Sequence, residues 1–162
     1  MTPIEVLDAD YDDPVHREGI VDIIDSYASD PVGGGEPLPG EVRAALVEKL
    51  RDYPTSRVLL AFADGVPVGA AICFLGLSTF RARQLLNIHD LAVLPDWRGR
   101  GVGRALLAAA EERARGEGCC KLTLEVQEDN ARARGLYVSF GFSDFVIGGP
   151  TPTRFLSKSL EP

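Results

Sequence analysis

Short apolar runs and helix-spaced apolar residues alternate along this chain. Five of the runs have the length and the composition that are typical of β-strands. These predicted strands cover residues 4–7, 57–63, 66–75, 84–94 and 121–126. Asp64 and Gly65 lie between the second and third runs, and this dipeptide is a strong signal for a tight hairpin turn. Beyond Gly141 the pattern predicts a further strand, and residues 155–160 could add a last one.

Apolar side chains recur every three or four positions in the segments between the strands. This spacing predicts helices over residues 14–27, 42–50 and 103–116, and Asn130 should cap a fourth helix that ends near residue 140. Strands that alternate with helices, together with the hairpin, indicate an α/β or α+β fold with a mixed sheet. At 162 residues and with no internal repeat, the chain should form a single domain over residues 1–162.

The turn between the fourth predicted strand and the third predicted helix is rich in glycine and arginine. It consists of Arg98, Gly99, Arg100, Gly101, Val102, Gly103 and Arg104. Glycine has no Cβ, so its backbone can adopt a positive φ and approach a ligand closely. The first amides of a helix have no partner within the helix, and the helix dipole favours an anion there. The turn therefore predicts a binding site for a polyphosphate.

Two common phosphate-binding motifs do not fit this turn. It lacks the lysine of a P-loop, and Arg104 stands where a dinucleotide fingerprint needs its last glycine. The pattern that remains, Arg98-x-x-Gly101-x-Gly103, resembles the pyrophosphate-binding loop of the GNAT superfamily, the acyl-CoA-dependent N-acyltransferases.

A second group of residues downstream extends the resemblance. It comprises Leu124-Glu125-Val126, Asn130, Leu136-Tyr137 and Gly141-Phe142. The spacing of Glu125, Asn130 and Tyr137 is most similar to that of bacterial N-terminal acetyltransferases of ribosomal proteins. The resemblance covers about residues 84–145. It implies a GNAT-like fold, with a central mixed, mostly antiparallel sheet of about six or seven strands flanked by about four helices.

The resemblance also implies a co-substrate, acetyl-CoA, and the residues that bind it. The pyrophosphate would lie on the backbone of residues 98–104. The pantetheine arm would run along the backbone of Leu91, Ala92 and Val93, rather like an added strand. In the family the asparagine that corresponds to Asn130 contacts coenzyme A, which is compatible with its use as a helix cap.

Acyl transfer to an amine requires a proton for the leaving thiolate. A phenol still carries its proton at neutral pH, and the tyrosine at the position of Tyr137 is the usual general acid of the family. Tyr137 is therefore the candidate acid. The alternative is that Tyr137 is a core tyrosine whose hydroxyl bonds to backbone.

The amine must also lose a proton, and two residues are candidates for the base. Glu125 is expected in the middle of a buried strand, where a carboxylate is costly unless it is used or paired. The resemblance places a glutamate base there, and a structural salt bridge is the alternative. His89 is the second candidate, because histidine exchanges protons near neutral pH. Strand alternation predicts that His89 shares a face with Leu91 and that Asp90 points the other way.

Two loops, residues 30–40 and 76–83, are expected to flank the mouth for the acceptor amine. Asp30 and Glu36 lie on the first, which Gly33 to Gly35 should leave free to move. Acidic groups suit a cationic amine. A small-molecule amine is the first choice of acceptor, because the loops are short for gripping a large protein surface, and a peptide N-terminus is the second. A sensor that binds acyl-CoA without turnover is the alternative from another functional class.

Composition narrows the remaining classes of function. A formal charge of −7 argues against a nucleic-acid partner. Three cysteines without Cys-x-x-Cys spacing argue against a zinc site, so we expect no metal. No apolar run reaches the roughly 20 residues of a membrane helix, so no membrane partner is expected. The beginning of the sequence lacks the features of a signal peptide, which predicts a cytoplasmic protein, and a homodimer is possible.

Overall fold

The computed structural model of the chain describes residues 1–161, which divide into two compact units. The first unit comprises Met1–Leu124, and the second begins at Glu125. The expectation of a single domain stays a prediction. The helices of the first unit are α1 (Pro14–Ser29), α2 (Gly40–Asp52) and α3 (Val102–Gly116), and that of the second is α4 (Ala131–Ser139). The four predicted α-helices are thus confirmed.

Five strands of the first unit form one mixed sheet in the order β1-β2-β3-β4-β5. They are β1 (Ile4–Asp8), β2 (Ser56–Ala63), β3 (Val66–Ser78), β4 (Arg83–Val93) and β5 (Leu122–Leu124). The first three pairings are antiparallel, and β4 pairs with β5 in parallel. At the β2–β3 turn, Asp64 and Gly65 have φ of +50° and +78°, as the predicted hairpin requires. The mixed, mostly antiparallel sheet is confirmed.

The prediction of six or seven strands is too high by one or two for the described residues. Beyond Gly141, the described chain forms only an isolated bridge between Val146 and Pro152. Gly148 and Gly149 are followed there by Pro150 and Pro152, and proline donates no hydrogen bond to a strand ladder. The apolar residues of this segment therefore do not continue into the predicted strands.

Two element boundaries differ from those that the sequence predicts. β3 extends to Ser78 and β4 begins at Arg83, so the expected loop over residues 76–83 shrinks to four residues. Ala82 closes that turn with a φ of +48°. β5 ends at Leu124, two residues earlier than predicted, and its three residues are only partly buried.

The sheet is covered by helices on both faces, and each face has its own apolar core. The core beneath α1 and α2 consists of Ile20, Ile23, Val47, Leu50, Val58, Leu60, Phe62, Ala70, Ile72 and Ala92. α3 packs on the opposite face through Val102, Leu106, Leu107, Ala110 and Ala114, all buried. Successive residues of a strand point to opposite faces, so Gly69 lies under α3 while Ala70 lies under α1. This packing fixes where α3 begins relative to the end of β4.

Gly69→Val should destabilise the fold, because a side chain at residue 69 collides with α3. A Cβ there would lie 2.8 Å from Val102 Cγ1 and 3.1 Å from the Ala92 carbonyl oxygen. Overpacking of this kind costs roughly 1–3 kcal/mol, which urea unfolding would measure. The matched control is Gly116→Ala at the last residue of α3, where a Cβ meets nothing within 4 Å. Equal stability of the two variants would contradict this account of the packing.

Candidate active site

The glycine turn joins the end of β4 to the start of α3, and its backbone geometry needs glycine twice. A short 3₁₀ turn, Pro95–Trp97, follows β4. Gly99 and Gly101 then adopt φ of +73° and +85°. A Cβ on either glycine would meet nothing within 4 Å, so this side of the turn is open. The predicted conformation, with close access for a ligand, is therefore present.

The start of α3 offers its first amides to this open side. Gly101 is the N-cap residue of the helix, and as a glycine it has no side chain that could accept from the first amides. The helix ladder begins with the bond from the Ala105 amide to the Gly101 carbonyl oxygen, at 2.9 Å. The helix dipole adds partial positive charge at the same end. The geometry fits the phosphate groups of coenzyme A, which carry several acceptor oxygens and negative charge.

The arginines of the turn differ in their surroundings. The Arg100 guanidinium lies over the Trp97 ring, 5.0 Å from its centroid. Arg98 instead turns back towards the sheet and forms an ion pair with Asp30, with Nη2 and Oδ2 2.9 Å apart. Arg100 and Arg104 are exposed, whereas Arg98 is half-buried. Arg98 is therefore held by Asp30, and the assignment of residues 98–104 to coenzyme A stays a prediction.

Only the first part of β4 pairs with β5. The parallel pairing covers Leu86, Asn87 and Ile88, opposite the three residues of β5. Leu91, Ala92 and Val93 pair with β3 on one side, and no strand in the described part of this unit pairs with them on the other. An edge of this kind can accept an extended ligand by backbone hydrogen bonds. This edge of β4 is followed by the 3₁₀ turn and then by the glycine turn.

A β-bulge in β4 changes where His89 points. Ile72 pairs with Asp90 and Cys73 pairs with Ile88. His89 is therefore the extra residue of the bulge, with no paired residue on β3. The His89 ring makes an edge contact with Phe74, with centroids 5.5 Å apart, on the face that α1 and α2 cover. The expectation that His89 shares the face of Leu91 is wrong, because the bulge shifts the alternation by one residue. His89 itself is exposed.

The same bulge places Asp90 on the face of Ile72, together with Tyr27 of α1. Burial raises the pKa of the Tyr27 phenol, and the carboxylates of Asp90 and Asp30 raise it further. The expectation that Asp90 points away from His89 is therefore wrong as well. The sequence predicts Tyr27 only as the last residue of a helix over 14–27, and no local signal marks its proximity to Asp90 of β4.

The segment after α1 is a compact turn rather than a mobile mouth. The Asp30 carbonyl oxygen accepts from the amides of Gly33 and Gly35, at 2.8 and 3.0 Å. A Cβ on Gly33 would lie 1.9 Å from the Tyr27 carbonyl oxygen, so only glycine fits there. The expectation of free movement at Gly33 to Gly35 is therefore wrong for the first part of this loop. Asp30 followed by Pro31 is a typical start of a new helical turn and could have signalled this.

The second unit contains the remaining predicted site residues. The Asn130 side chain accepts from the Ala133 amide at 3.2 Å and caps α4, as predicted. Tyr137 of α4 is half-buried, and its ring lies 5.9 Å from that of Phe142. Glu125 is exposed and follows β5, so the expectation of a buried carboxylate within a strand is wrong. β5 is too short to include it.

The family of the chain follows from its match to a family model. The model of the acetyltransferase (GNAT) family matches residues 20–142. The chain belongs to this family. The match includes the glycine turn, the bulge in β4, Asn130 and Tyr137, so the resemblance read from the sequence is confirmed.

Curated relatives of this GNAT chain match it over about half of its length. The thialysine N-ε-acetyltransferase of Bos taurus is 34% identical over 87 residues, which are 51% of this chain and 51% of the relative. An uncharacterized N-acetyltransferase of Methanocaldococcus jannaschii is 37% identical over 82 residues, 50% of this chain and 36% of the relative. The chain thus spans only about a third to a half of the length of these relatives.

Solved structures agree with the GNAT fold over nearly the whole chain. An aminoglycoside N-acetyltransferase in complex with CoA superposes with a TM-score of 0.73 at 18% identity, covering 98% of this chain and 95% of that one. The ribosomal-protein-alanine N-acetyltransferase of Brucella melitensis gives 0.69 at 20% identity, covering 90% and 98%. At these identities the likeness shows the fold alone.

Residues 1–161, which the structure describes, contain neither a membrane-spanning helix nor a metal-ligand cluster. Within them, no helix is both long enough and apolar enough to cross a membrane. No cluster of three or more histidine, cysteine, aspartate or glutamate side chains in the same residues has the arrangement of a metal site.

Proposed function

We propose that this GNAT chain is an N-acetyltransferase that transfers the acetyl group of acetyl-CoA to a primary amine. The observation that carries the proposal is the open glycine turn at the start of α3, a few residues after the edge of β4 that no strand covers. Backbone amides at the turn would hold the pyrophosphate. Leu91, Ala92 and Val93 would hold the pantetheine arm along the edge of β4, and Asn130 would add a contact to coenzyme A.

Acetyl-CoA supplies a thioester whose carbonyl carbon bonds to the amine nitrogen as the carbon–sulfur bond breaks. The chain must then remove one proton from the amine and deliver one to the leaving sulfur. We propose His89 as the base, because the bulge presents its exposed ring beside the part of β4 that precedes the pantetheine edge. Glu125 stays the alternative base. Tyr137 is proposed as the acid that protonates the sulfur.

His89→Ala should lower kcat/KM by about 10²-fold at neutral pH, as loss of a general base does. Glu125→Gln, the matched comparison, should keep kcat/KM within about twofold of wild type. The measurement is steady-state kinetics of both variants with acetyl-CoA and one accepted amine. A loss of this size in Glu125→Gln, with wild-type activity in His89→Ala, would assign the base to Glu125 instead.

A small-molecule amine is the proposed acceptor, and two observations support it. The thialysine N-ε-acetyltransferase is named for a small amino acid, and it is similar to half of this chain. The formal charge of −7 would also attract cationic amines. A peptide N-terminus is the second candidate, motivated by the spacing of Glu125, Asn130 and Tyr137. The predicted cytoplasmic location and homodimer stay predictions.

An amine panel would test both the activity and the acceptor. Thialysine, polyamines, amino sugars and peptides with free N-termini would each be mixed with acetyl-CoA, and the released thiol and the product masses would be measured. The proposal expects efficient turnover of at least one small amine. Turnover of peptides alone would replace the small-molecule acceptor with a protein N-terminus. Tight binding of acetyl-CoA without any turnover would favour a sensor.

A further inference from the structure

Arg98 and Asp30 form an ion pair that joins three separate segments of the first unit. Arg98 Nη2 lies 2.9 Å from Asp30 Oδ2. Arg98 Nε donates to the carbonyl oxygen of Val93, the last residue of β4, at 3.1 Å. Asp30 Oδ1 accepts from the Val32 amide at 3.0 Å. The end of β4, the glycine turn and the turn after α1 therefore meet at two side chains.

This pair is better shielded from water than the ion pairs between α1 and α2. The side chains of Arg98 and Asp30 are 24% and 18% exposed. Those of Arg17 and Glu48, for comparison, are 34% and 50% exposed. Hydrogen bonds between charged groups strengthen as water is excluded, and removal of one partner leaves the other charge poorly compensated. The Arg98–Asp30 pair should therefore restrain the segments that it joins.

Asp30 is itself held in place by the compact turn that follows α1. Its amide donates to the Tyr27 carbonyl oxygen at 3.1 Å, and its carbonyl oxygen accepts from Gly33 at 2.8 Å. The carboxylate thus starts from a fixed backbone, and it reaches Arg98 directly where the glycine turn begins. Arg98 in turn immediately precedes Gly99, the first residue of the glycine turn with a positive φ.

We propose that Asp30 is a positioning residue for cofactor binding that acts through Arg98. It holds the Arg98 guanidinium against the end of β4 and thereby keeps the glycine turn in its open geometry before coenzyme A binds. Gly99 and Gly101, with positive φ on either side of Arg100, would otherwise sample many conformations, and ordering them on binding would reduce affinity. The proposal rests on the proposed function, because it assigns the glycine turn to coenzyme A.

Asp30→Asn tests this role, because it removes the charge and retains an oxygen for the Val32 amide. The Kd for coenzyme A should rise roughly tenfold, as expected for loss of one charged hydrogen bond. Trp97 is the only tryptophan of the chain and lies in the turn, so its fluorescence reports binding. At saturating acetyl-CoA, kcat should return to within about twofold of wild type while the KM for acetyl-CoA is raised, a split that general misfolding would not give.

Arg98→Gln should reproduce the loss, and the double variant should bind no more weakly than either single variant, because both changes remove the same pair. Arg98→Gln also leaves the hydrogen bond from the Val32 amide to Asp30 intact. It therefore provides the test of the ion pair if Asp30→Asn folds poorly. Glu48→Gln is the matched control, since it breaks an ion pair between α1 and α2 and should leave the Kd unchanged. Losses that multiply in the double variant would overturn the proposal.

Hydrogen exchange of the amides of residues 99–104 in the ligand-free protein distinguishes a failure of this proposal from a failure of the proposed function. Exchange should be faster in Asp30→Asn than in wild type, and Glu48→Gln should resemble wild type. A wild-type protein that binds no coenzyme A would overturn the proposed function and, with it, the cofactor role of Asp30. Intact binding in wild type, with the same Kd and the same exchange in Asp30→Asn, would overturn the role of Asp30 alone.

Discussion

Gly101→Glu should abolish detectable binding of coenzyme A, with a Kd raised by at least about 100-fold. Gly101 has a φ of +85° and caps α3. A non-glycine residue in that conformation costs about 1–3 kcal/mol, and a carboxylate at the start of the helix would repel a pyrophosphate. About 1.4 kcal/mol corresponds to a tenfold change in Kd, so strain and repulsion together reach this magnitude. Calorimetric titration of coenzyme A would measure the loss.

The chain contains a matched control for the backbone strain of this variant. Gly118, just beyond the other end of α3, has a φ of +72°, and a Cβ at this residue would also meet no atom within 4 Å. Gly118→Glu should therefore lose similar stability on urea unfolding but retain the wild-type Kd. Gly101→Glu with a normal Kd and an intact fold would show that the glycine turn does not bind coenzyme A.

The parts of the fold that the sequence predicts correctly depend on local signals. Asp64-Gly65 marks its hairpin because few residues tolerate two consecutive positive φ angles. The glycine turn is marked by a similarly local signal, because Gly99 and Gly101 stand where its backbone adopts positive φ. Asn130 as the cap of α4 needs only the amide of Ala133. Each of these features involves residues within a few positions of one another.

The features that the sequence does not predict depend on residues far apart in the chain. The bulge at His89 arises from the pairing of β3 with β4, and no composition signal separates it from a regular strand. One extra residue reverses every face assignment beyond it, which is why both His89 and Asp90 are misassigned. The pair of Arg98 with Asp30 joins residues 68 positions apart. A motif identifies Arg98, but only the fold shows its partner.

Tyr137→Phe should lower kcat by about 10²–10⁴-fold, the range expected for loss of a general acid. The substitution removes one hydroxyl and keeps the ring that contacts Phe142, so α4 should fold normally. The Kd for coenzyme A should not change, because the turn at residues 98–104 is untouched. Steady-state kinetics with the best amine of the panel would give kcat, and fluorescence of Trp97 would give the Kd.

Tyr11→Phe is the matched control for this variant. The ring of Tyr11 packs against the core beneath α1 and α2, and burial raises the pKa of its hydroxyl. Its removal should therefore cost some stability and leave kcat unchanged. Because a thiolate must gain a proton before it leaves the site readily, Tyr137→Phe should lose least activity with acyl donors whose thiol is most acidic. A variant with full kcat for acetyl-CoA would exclude Tyr137 as the acid, and proton delivery would then have to come from solvent or from another side chain.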